Sequence, residues 1–341
     1  MTEMRALVVD APGAAAVRTL TVPEAGRGEV LVRVGAAGIC GSDLELLDGR
    51  RPAGYVRYPI VPGHEWAGRV AAVGPGVTGL SEGDIVVAEG FRACGGCDRC
   101  KEGRTNLCLA EYAETGFTHA GAFAEFLSVP APLVHRLPEG TDLAAAALLE
   151  PAACVAEGLL ECDLRPGRSI AVVGAGTLGL LAVALLRRTS PARLALVGSR
   201  SPRLELGRSL GASEIVDIHV SDGAGCLAPA FDIVFEATGT AAGAATALAL
   251  ARRGGTVVLE GISGSPGGAD ADAIVLGHLR VQGIFGASGR AWRWVTQLFA
   301  DGLLDTRPLV SHTFPLEKHA EAFAAVADRA GDALKVQLVP T

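Results

Sequence analysis

The sequence predicts an α/β protein in which a doubly wound parallel sheet follows a β-rich, barrel-like N-terminal half. The first observation behind this is a regular alternation after residue 168. Apolar runs at 169–173, 194–197, 215–216, 231–235 and 256–259 are separated by helical stretches at 180–188 and 202–210. Strand alternating with helix is the pattern of a parallel sheet covered on both faces. The second observation is the different style before residue 142. There, short β-rich runs such as Ala6-Leu7-Val8-Val9 and Val30-Leu31-Val32-Arg33-Val34 are broken by turn residues, among them Val-Gly-Pro-Gly at 73–76 and Glu-Gly-Asp at 82–84. Between the halves, 143–160 is rich in Ala and Leu with helical spacing, and Asp142 is a suitable N-cap. The tail from 290 to 339 returns to a helix, a linker and a final strand.

Composition narrows the function classes. With 341 residues and 49% hydrophobic content, the chain can fill the cores of two ordinary domains. Its net charge of −7 argues against a nucleic-acid footprint or a polybasic membrane patch. The opening residues lack a basic region followed by an apolar core, so no signal peptide is expected. The uncharged stretch 169–186 approaches the length of a membrane span, but three glycines interrupt it and Arg187 and Arg188 close it. It reads better as a strand, a tight turn and a helix. Eight cysteines without an export signal suggest reduced thiols used for metal or catalysis, in a cytoplasmic protein.

Cys94, Cys97, Cys100 and Cys108 lie within fifteen residues, with Gly95, Gly96 and Gly103 to let the backbone turn. Four thiolates this close can surround one tetrahedral zinc, leaving no open position, so this ion would hold a loop. A second set is more dispersed: Cys40 in Gly-Ile-Cys-Gly-Ser-Asp, His64 and Glu65 in Pro-Gly-His-Glu, and Glu150 before Pro151. A thiolate, an imidazole and a carboxylate make a three-ligand zinc site with a fourth place for water or a substrate oxygen. Taken singly these residues are weak signals, because a lone Cys usually packs and a lone His is usually a hydrogen-bonded core residue. Gly174-Ala175-Gly176-Thr177-Leu178-Gly179 follows a buried strand and opens a helix, the context in which such a motif binds a dinucleotide. The next strand ends Val197-Gly198-Ser199-Arg200, with Gly198 where an NAD site usually presents an acid. Ser199, Arg200 and Arg203 are then candidates for a 2′-phosphate, so NADP is expected over NAD. The alternative is that Ser201-Pro202 starts a helix that the arginines merely decorate.

Taken in order, these motifs resemble the zinc-containing medium-chain dehydrogenase/reductase family, over essentially the full chain. The resemblance implies a GroES-like catalytic domain at 1–153 carrying a zinc lobe at 91–110, a Rossmann domain at 154–288, and a return to the catalytic domain at 289–341. It implies an alcohol or polyol dehydrogenase with two zinc ions per chain. Cys40, His64 and either Glu65 or Glu150 would hold the catalytic ion, with Asp43 orienting His64. Ser42 matches the family's relay hydroxyl, while Glu45 stands where many relatives carry a relay histidine. Further cofactor contacts implied are Ala237, Thr238 and Gly239, then Gly261 with Ile262, Phe285 with Gly286, and Lys335. Glu45, Phe91, Phe117 and Phe285 are candidate substrate walls, and the His-Glu-Trp and Gly-Phe-Thr signatures resemble members acting on polyols and cyclitols. A homodimer or homotetramer joined through the cofactor domain is implied. Two other readings stand beside this one: an enoyl-type reductase, and a non-catalytic zinc scaffold, against which the intact Cys40 and His64 argue.

Overall fold

The structure, a computed structural model, describes residues 2–340 apart from 200, 220–229, 263, 265–266, 268 and 329–330, with 201 described by its backbone alone. It forms two compact units, Met1–Glu150 with Ala287–Thr341, and Pro151–Gly286.

The first unit starts with an antiparallel pair, β1 (Glu3–Ala11) and β2 (Ala14–Thr21). Then come β3 (Glu29–Gly38), the short helix α1 (Gly41–Leu47), β4 (Glu65–Val73), β5 (Ile85–Ala88), α2 (Asp98–Lys101), β6 (Phe126–Pro130) and β7 (Val134–Leu137). β3 shows why these runs become strands. Its valines bury on both faces, and its one exposed charge, Arg33, lies over the Phe126 ring at 4.5 Å. Leu7, Val32, Trp66, Phe123, Leu127 and Leu338 meet in the core of this unit.

The expected helix over 143–160 is two helices, α3 (Leu143–Ala146) and α4 (Leu149–Leu160). The interruption follows from Pro151, which has no N–H to give the Ala147 carbonyl and is tolerated only in the first turn of a restarted helix. Asp142 caps α3 through bonds from the Ala144 and Ala145 amides of 2.9 and 3.4 Å. This 18-residue stretch has a mean hydropathy of 1.6, but 72% of it is buried inside the protein.

The second unit contains β8 (Ser169–Val173), α5 (Thr177–Leu186), β9 (Arg193–Gly198), α6 (Ser201–Leu210), β10 (Glu214–Asp217), β11 (Phe231–Glu236), α7 (Ala241–Leu250), β12 (Ala251–Leu259), α8 (Ala271–Gly277) and β13 (Arg280–Gly283). Its six strands are all parallel in the order β10-β9-β8-β11-β12-β13, so the strand order reverses between β8 and β11. Crevices at the carboxyl ends of strands flanking such a reversal are where ligands bind in open α/β sheets. The uncharged stretch 169–186 is therefore β8, a turn and α5.

The chain then returns to the first unit as α9 (Gly289–Ala300), β14 (Val310–Pro315), α10 (His319–Ala327) and β15 (Lys335–Val339). β15 pairs with β14 and with β3, completing the order β14-β15-β3-β4-β5-β7, with β6 also on β3. That pairing brings Lys335 alongside the end of β3 and Cys40.

Candidate metal centre and cofactor cradle

Cys40 lies two residues past β3 at the N-cap position of α1, and His64 immediately precedes Glu65, the first residue of β4, which pairs in register with Gly38. Strand pairing thus carries the two distant motifs to one place. One ligand atom each from Cys40, His64 and Glu65 lies within 4.8 Å of the others. His64 turns Nδ1 towards Asp43 Oδ1 at 3.5 Å, and neither atom has a hydrogen-bond partner among the described residues. The other Asp43 oxygen accepts the Cys40 amide at 2.8 Å, so this buried acid positions both motifs. Burial alone would pull the His64 imidazole down, but Asp43, Cys40 and Glu150 hold it well above its ordinary value. The pocket of donors thus favours a positive charge, as a dication site built from thiolate, imidazole and carboxylate must. The residues fit zinc.

Lys335, expected as a cofactor contact, is placed beside the metal cluster. Its ammonium is buried in the first unit, 5% exposed, and donates to Glu65 Oε1 at 2.8 Å, Glu65 Oε2 at 2.6 Å and the Ile39 carbonyl at 3.3 Å. The reason is register: β15 beside β3 points this side chain at the carboxylate that follows His64. Ser42 is half-buried in the first turn of α1, and Glu45 is half-buried one turn later, 4.0 Å from Arg50 Nη1. Phe91 and Phe117 are buried, and the Phe117 ring centroid lies 4.8 Å from that of His64, so Phe117 backs the imidazole.

A charged layer behind Phe117 had no signal in the sequence. The Arg51 guanidinium lies 3.6 Å from the Phe117 ring centroid, donates to Tyr112 Oη at 2.8 Å, and pairs with Glu114 at 3.5 Å. Tyr112 also donates to Glu114. Burial raises the Glu114 carboxyl to about 7, although the His64 and Arg51 charges oppose it. These residues are scattered over sixty positions, and nothing in their spacing marks them as one cluster.

In the cysteine lobe, Cys94, Cys97, Cys100 and Cys108 converge without disulfides, with Sγ separations of 3.5 Å for Cys97 and Cys100, and 4.0 Å both for Cys94 with Cys100 and for Cys97 with Cys108. Gly95 and Gly103 have φ of 69° and 79°, the left-handed turns that fold the lobe back on itself. Backbone amides point at the sulfurs: Cys94 N at 3.3 Å from Cys108 Sγ, and Leu109 N at 3.5 Å from Cys97 Sγ. The Leu109 and Cys100 amides draw Cys97 down to about 6, while burial and the neighbouring thiols push Cys100 up to about 12. Four sulfurs at this spacing, with amides already aimed at them, suit a closed tetrahedral ion.

In the second unit the glycines of 174–179 each have a separate physical role. A Cβ on Gly174 would meet the Ala237 carbonyl carbon at 3.1 Å, one on Gly179 would meet the Gly174 oxygen at 1.8 Å, and one on Gly176 would enter open space. The first and third let strand and helix close up, and the middle one leaves the backbone approachable at the start of α5, where no side chain caps the helix. The same strand ends gather Thr238, Gly239, Gly261 and Ile262: a Cβ on Gly261 would lie 2.1 Å from the Gly239 nitrogen, and one on Gly239 would lie 3.0 Å from the Ile262 oxygen. Leu178 lies in the first turn of α5 beside Thr177. Ile262 and Phe285 are exposed apolar side chains, and Gly286 follows with φ of 66°. Gly198 ends β9, but its surroundings are filled: a Cβ there would meet Ala175 Cβ at 2.9 Å and Leu204 Cδ2 at 3.1 Å. Glycine at 198 therefore has a packing reason beside the absence of an acid. Ser199 is exposed, Arg203 is half-buried on α6, and Arg200 lies outside the described residues.

Family models agree with this geometry, an alcohol dehydrogenase GroES-like domain matching residues 26–139 and a zinc-binding dehydrogenase domain matching 177–301. Sorbitol dehydrogenase of Bacillus subtilis is 31% identical over 99% of this chain and 97% of its own length. The chain belongs to the zinc-containing medium-chain dehydrogenase/reductase family. It is accordingly a zinc-dependent, NAD(P)-dependent dehydrogenase of the alcohol/polyol type. L-threonine 3-dehydrogenase of Saccharopolyspora erythraea is 33% identical to this dehydrogenase, covering 98% of each chain. Among solved structures, a protein described as a zinc-binding dehydrogenase of Sinorhizobium meliloti 1021, bound to NADP, superposes with a TM-score of 0.93 at 29% identity, covering 100% of both chains. The 2R,3R-butanediol dehydrogenase of Bacillus subtilis superposes with a TM-score of 0.87 at 26% identity, over 99% of this chain and 100% of its own.

Proposed function

We propose that this dehydrogenase moves a hydride between NADP(H) and the carbinol or carbonyl carbon of a hydroxylated secondary alcohol, a polyol or cyclitol. The observation that carries the reading is the cluster of half-buried Cys40 with buried His64 and Glu65, set in surroundings that favour a cation. Zinc held there supplies Lewis acidity to the substrate oxygen, and the nicotinamide exchanges the hydride. Cys40 and His64 are the fixed ligands. Lys335 grips both Glu65 oxygens, which favours Glu150 as the third donor and keeps Glu65 close by as its competitor. Asp43 holds the His64 ring so that Nε2 faces the cluster. Ser42, on the turn that follows Cys40, accepts the proton that leaves the alcohol while giving up its own, either to Glu45 one turn on or, where Glu45 binds a second substrate hydroxyl, to water.

The amides at the start of α5 receive the pyrophosphate. Preference for NADP is supported by the missing acid at 198, by Ser199 beside it, and by the NADP in the Sinorhizobium meliloti neighbour. The polyol class is supported by the sorbitol and butanediol relatives and by Glu45, which a plain alkanol would leave unused. A homo-oligomer joined through the second unit is supported by its edge strand β13 and by Val275 and Leu276 on α8, which are 75% and 74% exposed. The test is kcat/KM with NADP and NAD over polyols, cyclitols, L-threonine and alkanols. The proposal expects NADP and a polyhydroxylated secondary alcohol to lead. Saturation of the carbon–carbon bond of an unsaturated aldehyde, with its carbonyl left intact, would overturn the reaction class.

A further inference from the structure

The first unit contains a cavity of about 210 Å³ that none of Cys40, His64, Glu65 or Glu150 lines. One side is apolar, made by Met4 of β1, Val61, Ala124 and Phe126 of β6. The other side carries Arg92, His119 and Glu29. Each of these three spends part of its bonding capacity on the wall behind it. Arg92 donates through Nε to Thr115 Oγ1 at 3.3 Å and through Nη2 to the Ser128 carbonyl at 3.2 Å. Glu29 accepts with Oε2 alone, from Ser128 Oγ at 3.1 Å and the Gly26 amide at 3.3 Å. His119 engages Thr118 Oγ1 through Nδ1 at 3.2 Å. Among the described residues no partner takes Arg92 Nη1, Glu29 Oε1 or His119 Nε2, and Arg92 forms no ion pair with Glu29 although both border the same space. Burial first, then the Arg92 and Arg57 charges, pulls His119 below its ordinary value, so it serves as a neutral hydrogen-bonding group.

A cation and an anion that both lean on Ser128, attract each other without closing into an ion pair, and face a small cavity with an apolar wall match a ligand carrying a carboxylate and an ammonium close together. We propose that this cavity binds a small apolar α-amino acid, its carboxylate on Arg92 and His119, its ammonium on Glu29, and its side chain against Met4, Val61 and Phe126. The size is right, since a cavity of roughly 150 Å³ holds benzene and this one is somewhat larger. The site also has a route to the metal cluster. His119 and Gly121 border the cavity, and Phe117, two residues earlier, backs His64, while the Gly116 amide bonds the His119 carbonyl at 2.7 Å. An occupant therefore presses on the segment that positions a metal ligand.

The experiment is calorimetric titration of the zinc-loaded full chain with L-alanine and L-valine, with propionate and isobutylamine as probes lacking one charge each. Saturable binding of an amino acid is expected, with each single-charge probe about tenfold weaker or worse, as loss of a charge-assisted bond requires. Arg92→Met and Glu29→Gln should each weaken it by a similar factor. Ala120→Trp, at the exposed rim, should block entry. No saturable heat with either amino acid would overturn the proposal. So would binding that survives both Arg92→Met and Ala120→Trp, because it then occurs elsewhere, the substrate site included.

Discussion

Replacing Lys335 with methionine removes one partner of a buried ion pair and leaves the other in place. Glu65 is 1% exposed, and both its oxygens face the Lys335 ammonium at 2.6–2.8 Å. Burial by itself would pull Lys335 down, yet the Glu65 and Cys40 charges hold it above the ordinary lysine value. Its stabilising contribution is therefore complete below the unfolded lysine value and lost only as pH climbs through the still higher folded one, so the pair persists at neutral pH. Breaking such a pair costs about 3–5 kcal/mol, because a carboxylate remains buried without its counter-charge. Removing the charge as well, in Lys335→Met with Glu65→Gln, should recover most of that loss. Urea unfolding of chelator-treated protein measures both variants. Added zinc should restore part of the stability of Lys335→Met, since one freed Glu65 oxygen lies within 4.8 Å of the Cys40 and His64 donors. A single variant within about 1 kcal/mol of the parent, or a double variant no better than the single, would refute the reasoning.

Three further outcomes are expected. Glu114, raised by burial to about 7 from an ordinary 4.5, favours the fold fully below 4.5 and loses that contribution as pH rises through about 7. Glu114→Gln should then flatten the decline of unfolding free energy between acid and neutral pH by on the order of 3 kcal/mol, read from denaturation at a series of pH values. Gly198→Asp, combined with Ala175→Gly to relieve the 2.9 Å approach, should lower kcat/KM for NADP by about a hundredfold while sparing NAD. Cys94→Ser should cost one zinc per chain and open the 91–110 lobe to protease, both measurable on the purified protein.

The Rossmann half was legible because its signals are local. A buried run, a glycine turn and a helix occupy consecutive residues at 169–188, and Gly174 and Gly179 have steric duties that the structure displays. The cysteine lobe was legible for the same reason. Less visible was β2, whose Ala-Ala-Ala-Val-Arg-Thr-Leu-Thr run is half exposed and becomes a strand by pairing with β1. The break between α3 and α4 could have been read from Pro151. The pairing of Lys335 with Glu65 could not, since it depends on the register of β15 against β3, some 270 residues after the carboxylate it binds. Arg51, Tyr112 and Glu114 were hidden in the same way: polar residues gain meaning from burial against one another, which no short spacing encodes.

The central claim is that Cys40 and His64 grip an ion separate from the one in the cysteine lobe, and that turnover needs it. Metal counting by mass spectrometry on the parent and on Cys40→Ala, with alcohol oxidation measured on the same samples, tests this directly. The account predicts about two zinc ions per parent chain, one in the variant, an unchanged fold and no turnover. Full zinc content or retained turnover in Cys40→Ala would contradict it.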